Sequence, residues 1–359
     1  MKKKILLLFI FLGFTCQAWT QTQDSIETKN LILPLLFFLP ETSLGFGVTG
    51  VTTFKKSSHS ETTRPSQILY SAVYTLKNQL LFFVPYEFYG NDNNFRIKGE
   101  LGYYRLFYNY FGLGPSTLRE DNDNYNVIFP RVEFNYAQKL FKNIYAGAGF
   151  NFDHFDLSII NPKGRLAQDK PEGYLGGTKA NLTGVVFLDF RDNLFSPSKG
   201  YYIEVKGQVS LPDFISDFKY QKIEADLRYY KGLRNKMVIA SQIYFGHASS
   251  AAPFFDLPYS STPMRGRGFD DRRFISHTLF NFQSELRFPI YNKWSGAAFL
   301  SLTDIPEERS LDLFQESPKV SYGLGIRYEL DSNNKTRLRL DIASTSESLN
   351  IYFTVNEAF

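Results

Sequence analysis

Cysteine is almost missing from this chain: Cys16 is the single one in 359 residues. If the N-terminus is cleaved just after it, no thiol remains, which excludes disulfide staples and cysteine-based metal sites. Histidine is scarce as well. His154 stands beside Asp153 and Asp156, and His247 stands near Ser249 and Ser250, yet neither matches a catalytic motif. Both read as surface histidines, and the expectation is that the protein is not an enzyme. The acidic stretch DNDN at 121–124 lacks the glycine and distal glutamate of a calcium loop, so no metal or other cofactor is expected. A net charge of +4 is too mild to call for nucleic acid. Long apolar runs are also absent. The nearest candidate, LILPLLFFLP at 31–40, is short and carries Pro34 and Pro40, which excludes a transmembrane helix. What remains is a soluble protein or one that crosses a membrane as a barrel.

The N-terminus points to export. Lys2, Lys3 and Lys4 precede the apolar run Ile5 to Phe14, and a small-residue site follows near Cys16-Gln17-Ala18. Residues 1–18 therefore read as a secretory signal peptide. A lipoprotein reading would need Cys16 in a small-residue context, which Phe14-Thr15 does not give. Residues 19–29 would form a short periplasmic segment, and 30–359 a single domain with no room for a separate periplasmic one.

Alternation argues for the barrel. In VSYGLGIRYEL, Val320, Tyr322, Leu324 and Ile326 oppose Ser321, Gly323, Gly325 and Arg327. TRLRLDIA sets Leu338, Leu340 and Ile342 against Arg337, Arg339 and Asp341. YYIEVKGQVSL and FRIKGELGYY, beginning at Tyr201 and Phe95, repeat the pattern. A period of two puts each set on its own face of a sheet. The runs last about 10 to 12 residues, the length of a tilted membrane strand and longer than the globular average of about 5 to 6. Aromatic residues make up 17% of the chain, enough for girdles at both interfaces. Counting back from Phe359 gives sixteen strands, an even number, as a single-chain outer-membrane barrel needs. The connections then sort by length. Short ones at 331–336, 289–292, 232–235, 192–199, 140–142 and 90–94 fall on one side, and long polar ones at 247–275, 304–317, 156–178 and 106–124 on the other. Periplasmic turns are short and external loops long; only 55–65 breaks the rule. The expected fold is all-β: a sixteen-stranded antiparallel transmembrane barrel.

One external loop concentrates charge. MRGRGFDDRRF, 264–274, packs four arginines and two aspartates among glycines and phenylalanines. Downstream, SELRFPI places Glu285 and Arg287 on one strand face with Gln283 and Asn281, opposite Phe282, Leu286 and Phe288. Both therefore point into the lumen, where a guanidinium dropped from the loop can meet a carboxylate bidentately. Arg267 is expected to pair with Glu285 and hold the loop inside. The plainer reading is a solvated external charge run.

Four segments in order resemble the BamA/TamA-like outer-membrane assembly barrels, also called bacterial surface antigens. Arg267-Gly268-Phe269 resembles the inward-folding tip of their sixth external loop, and Arg265-Gly266 is a second, less complete match. DFRDNLFSPSKG, with Asp189, Arg191, Asp192, Pro197 and Gly200, resembles a periplasmic turn segment. YFGLG at 110–114 and SELRFPI at 284–290 resemble two more. The likeness runs from about residue 30 to the end. It implies outer-membrane location, contact with lipid, and insertion of the chain itself by the barrel assembly machinery. It also implies a role in inserting or moving proteins or lipids. Family members recruit clients through periplasmic domains, so that role would need a separate periplasmic or lipoprotein partner. The sequence departs from the family at Ser301, where a second acidic partner for the loop is usual; Arg267 is then expected to have one carboxylate rather than two, unless Asp270 or Asp271 substitutes. The C-terminal run Leu349, Ile351, Phe353, Val355, Phe359 is expected to lie on one face and to end in the terminal aromatic of an assembly signal, interrupted by Glu357. Pro34, which cannot donate to a ladder, either marks the first strand as an edge, at a seam where the family is thought to open, or precedes the strand proper. A passive pore with the loop as constriction is the alternative function, and an outer-membrane hydrolase a third.

Overall fold

The computed structural model describes residues 25–39, 43–332 and 335–359, so the expected signal peptide and cleavage site lie outside the described residues. Sixteen strands form one antiparallel sheet in chain order. They are β1 (Ile26–Leu39), β2 (Ser43–Lys56), β3 (Ser66–Thr75), β4 (Leu80–Tyr89), β5 (Phe95–Tyr110), β6 (Asp123–Phe141), β7 (Ile144–Ile159) and β8 (Gly176–Asp189). Then come β9 (Gly200–Ser210), β10 (Gln221–Gly232), β11 (Val238–Ala248), β12 (Thr278–Tyr291), β13 (Trp294–Asp304), β14 (Lys319–Asp331), β15 (Thr336–Ser344) and β16 (Leu349–Val355). β1 begins at Ile26, upstream of the expected boundary at 30.

The sheet is inside out relative to a soluble domain. Phe82, Leu101, Val132, Leu182, Val205, Leu286, Leu324 and Ile342 are exposed on its outer face. Arg96, Asp153, Lys179, Gln208, Asn281, Arg327 and Asp341 are buried on its inner one. A closed or nearly closed curl is the only way a single sheet can shelter so much charge, and the remaining apolar face then suits lipid. Contacts between distant parts of the sheet agree with the curl. Arg64, in the β2–β3 turn, reaches Asp189 at the end of β8 at 2.5 Å. No ladder joins β1 to β16 among the described residues, so the barrel has a seam there. Pro34 does not precede the strand; it lies within β1, opposite Val48 of β2.

β5, β6 and β7 run 16, 19 and 16 residues, beyond the roughly 9–11 that a bilayer needs. The excess lies at the loop end. There the lumen turns apolar: Tyr110, Tyr125, Val127, Phe129 and Phe155 form a core with Phe254, Leu257 and Ile275 of the β11–β12 connection. The long β2–β3 turn also has a physical reason. It folds against the β4–β5 turn, where Thr63 Oγ1 accepts from the Asp92 amide at 2.9 Å and Asn93 Oδ1 from the Arg64 amide at 2.8 Å. Its extra residues build part of the periplasmic rim.

Candidate functional site

The β11–β12 loop enters the lumen rather than standing in solvent. Thr262 and Arg265 close a turn through two backbone hydrogen bonds of 2.7 and 3.2 Å. Gly266 follows with φ +61, and a Cβ there would lie 1.8 Å from the Ser260 oxygen. Gly268, with φ +113, comes so close to the wall that its amide donates to Tyr352 Oη at 2.9 Å. Its carbonyl accepts from Ser348 Oγ at 2.7 Å and Asn350 Nδ2 at 2.9 Å. Only a residue without a side chain allows that approach. Phe269 is buried beside Phe274, Tyr244, Leu279 and Ile305.

Between the glycines, Arg267 points at the wall. Its guanidinium lies 3.5 Å from the centre of the Phe299 ring on β13. Nη2 donates to Glu285 Oε2 at 2.8 Å, and Nη1 donates to Asp341 Oδ2 on β15. Arg327 on β14 bridges the same two carboxylates, at 3.3 Å to Glu285 Oε1 and 2.5 Å to Asp341 Oδ1. Arg287 reaches Glu285 Oε1 at 2.8 Å. All of these groups are buried. Buried charges are tolerated only when paired and hydrogen-bonded, and here each carboxylate is held by several guanidinium donors.

The network continues to the periplasmic end. After β16 the chain turns at Asn356, with φ +67, and folds inward. The Glu357 carboxylate accepts from Arg327 Nε at 3.1 Å and Arg337 Nη1 at 3.1 Å. Burial by itself would raise this carboxyl, but Arg287 and Arg327 outweigh it and hold it below its usual range. The Phe359 main-chain oxygen accepts from Arg287 Nη2 at 3.0 Å, and its ring packs with Tyr230, Ala240 and Ala358. The β8–β9 turn completes this floor. Asp189 takes Arg191 at 2.8 Å as well as Arg64, Asp192 accepts from the amides of Ser198 and Lys199, and Gly200 has φ +102. The Pro197 carbonyl accepts from Arg287 Nη1 at 3.4 Å, and the Phe195 carbonyl from the Glu357 amide at 3.2 Å. Ion pairs thus join external loop, barrel wall and C-terminal tail, and hydrogen bonds to the Pro197 and Phe195 carbonyls tie in the periplasmic turn.

The family model for the Omp85 superfamily domain matches residues 65–359. The chain belongs to the Omp85 superfamily. Among solved structures, BamA from Haemophilus ducreyi lacking POTRA domains 1–3 matches with a TM-score of 0.60 and 13% identity, over 93% of this chain and 70% of that one. This likeness shows a shared fold. The toluene transporter TodX of Pseudomonas putida (TM-score 0.36, 9% identity, 88% of this chain and 83% of that one) is far more distant. So is Wzi of Escherichia coli, an outer-membrane protein of capsule assembly (TM-score 0.33, 12% identity, 92% and 81%). No curated protein matches the sequence. As an Omp85 barrel, the protein is integral to the bacterial outer membrane.

Several expected site residues meet and others do not. Arg267 contacts Glu285, Gly268 and Phe269 line the docked tip, and Arg287 joins the network from the same strand face. Ser301 does not touch Arg267; its hydroxyl accepts from Asn281 Nδ2 at 2.8 Å. Asp270 is taken by Arg119 at 2.6 Å. The second carboxylate is Asp341 on β15, which Arg267 reaches while its guanidinium lies over Phe299 of β13. The C-terminal expectation needs correcting at Glu357 and Phe359, both of which turn inward. Phe353 faces lipid at 55% exposure, but Phe359 is 4% exposed inside the barrel, because the inward turn at Asn356 takes it off that face. Arg265 is not a second anchor; it stacks on Tyr244 at 3.4 Å. Asp341, Arg327 and Glu357 were missed as partners. The first two stood in plain view on the polar face of alternating strands, but a period of two says which way a side chain points, not what lies across the lumen. The YFGLG segment clamps the end of the loop, with the Gly114 amide donating to the Ile275 carbonyl at 2.8 Å.

Proposed function

We propose that this Omp85 barrel acts without enzymatic chemistry in the insertion or translocation of proteins or lipids at the outer membrane. A separate periplasmic or lipoprotein partner would deliver the clients, and the barrel assembly machinery would insert the chain itself. The observation that carries the reading is the docking of Arg267 between Glu285 and Asp341, tied through Arg327 to the C-terminal tail. A lumen crossed by its own loop and floored by its own tail is poorly suited to steady diffusion. The edges of β1 and β16 carry no mutual ladder, and unpaired strand edges accept further strands. Client traffic would follow the wall at that seam.

Single-channel recording in planar bilayers tests this. A quiet wild type beside a conducting Arg267→Ala variant supports the loop as a plug. Steady conductance in both moves the passive-pore reading to first place. Capture of a periplasmic or lipoprotein partner by the intact barrel would separately support the delivery step.

A further inference from the structure

Above the ion network, at the loop end of the lumen, lies a cavity of about 320 Å³. One wall is aromatic and continuous. Tyr104, Phe129, Phe155 and Phe255 stack in sequence with ring centres 4.8, 4.6 and 4.0 Å apart. The other wall is charged, with five cations against two carboxylates, Glu224 and Asp256.

Those carboxylates are already engaged. Asp256 is held by Lys179 at 3.0 Å and by Tyr220 Oη at 2.6 Å, and Glu224 by Tyr244 Oη at 2.6 Å and Lys222 at 3.7 Å. Asp153, behind them, is taken by Arg131 at 2.8 Å and Lys179 at 2.6 Å. Arg265 and Arg272 carry the open donors of this wall, with the Asp226 carboxylate acting on the Arg265 charge and Asp271 on the Arg272 charge. Arg272 is buried with its ring neighbours Tyr259 and Tyr108 at 4.8 and 5.4 Å, donates to the Phe254 carbonyl at 3.3 Å, and its Nε has no protein partner. Arg265 Nε is likewise unpartnered, as is the hydroxyl of Tyr125, which is also buried and lines the cavity. Tyr259 links the two guanidiniums, with its ring beside Arg272 and its carbonyl 3.5 Å from Arg265 Nη2.

We propose that this cavity binds a small aromatic anion, whose oxyanion meets Arg265, Arg272 and the Tyr125 hydroxyl while its ring lies along the aromatic wall. Buried guanidinium nitrogens with open donors, as Nε of both arginines are, are costly unless an acceptor completes them. Guanidinium forks recognise planar oxyanions, and a stacked aromatic wall favours a flat body. The site does not depend on the assembly reading, because neither arginine is part of the Arg267 network.

Calorimetric titration of the full-length barrel in detergent micelles tests it, using benzoate, benzylamine and inorganic phosphate as probes. Saturable benzoate binding is expected, with weaker binding of phosphate and none of benzylamine, which has a similar ring and the opposite charge. Arg272→Gln should weaken benzoate roughly tenfold or more, as loss of a charge-assisted bond does, and Tyr125→Phe roughly two- to tenfold. Tyr125→Phe keeps the ring and decides the matter if Arg272→Gln does not fold. Absence of saturable benzoate binding, equal binding of benzylamine, or unchanged affinity in a folded variant would overturn the site. Phosphate bound as tightly as benzoate would overturn its aromatic half.

Discussion

Arg267 is held at the loop tip by two carboxylates, an aromatic face, and flanking glycines that bring it within reach. Removing it takes a charge-assisted donor from each of two buried carboxylates, at a cost of about 1.5–3 kcal/mol apiece. Arg267→Ala should therefore release the loop, seen as faster limited proteolysis within 249–277. Arg267→Lys should recover only part of the protection, since a single ammonium cannot fork between Glu285 and Asp341 or stack flat on Phe299. Glu357 gives a prediction in pH. Its folded carboxyl lies below the ordinary value of 4.5 because Arg287 and Arg327 outweigh burial. A depressed carboxyl contributes stability that is complete above the unfolded value and is lost as pH falls through the folded one. Tail docking should thus hold at neutral pH and weaken from about 4.5 downward, read as amide exchange of residues 356–359 corrected for intrinsic rate. Glu357→Gln should flatten that dependence.

At the level of elements, the loop and the β8–β9 turn share a device: a glycine at positive φ where two backbones meet. A Cβ on Gly268 would press on Ser344 and Ser321 at 3.1 and 3.2 Å, in a conformation with φ +113 that L-residues rarely adopt. Gly268→Ala should loosen the tip by about 1–3 kcal/mol, detectable as partial loss of proteolytic protection with the barrel still folded. The strands show how far local pattern reaches. Sixteen strands and their inward and outward faces were legible from alternation, because lipid on one side and a polar lumen on the other reward a strict period of two. The extra length of β5 to β7 was not legible. Beyond the bilayer the same strands alternate against a luminal aromatic core, so nothing in their pattern marks where the membrane stops.

For the whole molecule, the apolar exterior and the charged interior make opposite demands. Leu324 is 66% exposed on the outer face. Leu324→Arg should cost about 2–4 kcal/mol if it lies near the bilayer midplane. The same change at Leu118, in the β5–β6 connection, should stay within about 0.5 kcal/mol, as surface changes do. Urea titration of folding into lipid vesicles, followed by gel mobility, separates the two. If Leu324→Arg were as benign as Leu118→Arg, the outer face of β14 would not be in contact with lipid.

The sequence by itself determined the strand count, which face of each strand meets lipid, and the side bearing the long loops. Each follows from a local period or from the lengths of the connections, whereas the pairing of Arg267 with Glu285 was expected from the family resemblance. Only the tertiary structure decided that Asp341 is the second partner, that Phe359 turns inward while Phe353 stays outside, and that Arg265 and Arg272 share a cavity. Those outcomes depend on which luminal side chains face each other once the sheet is curled. Residues far apart in the chain are brought within 3 Å by that curvature, and a pattern with a period of two carries no record of it.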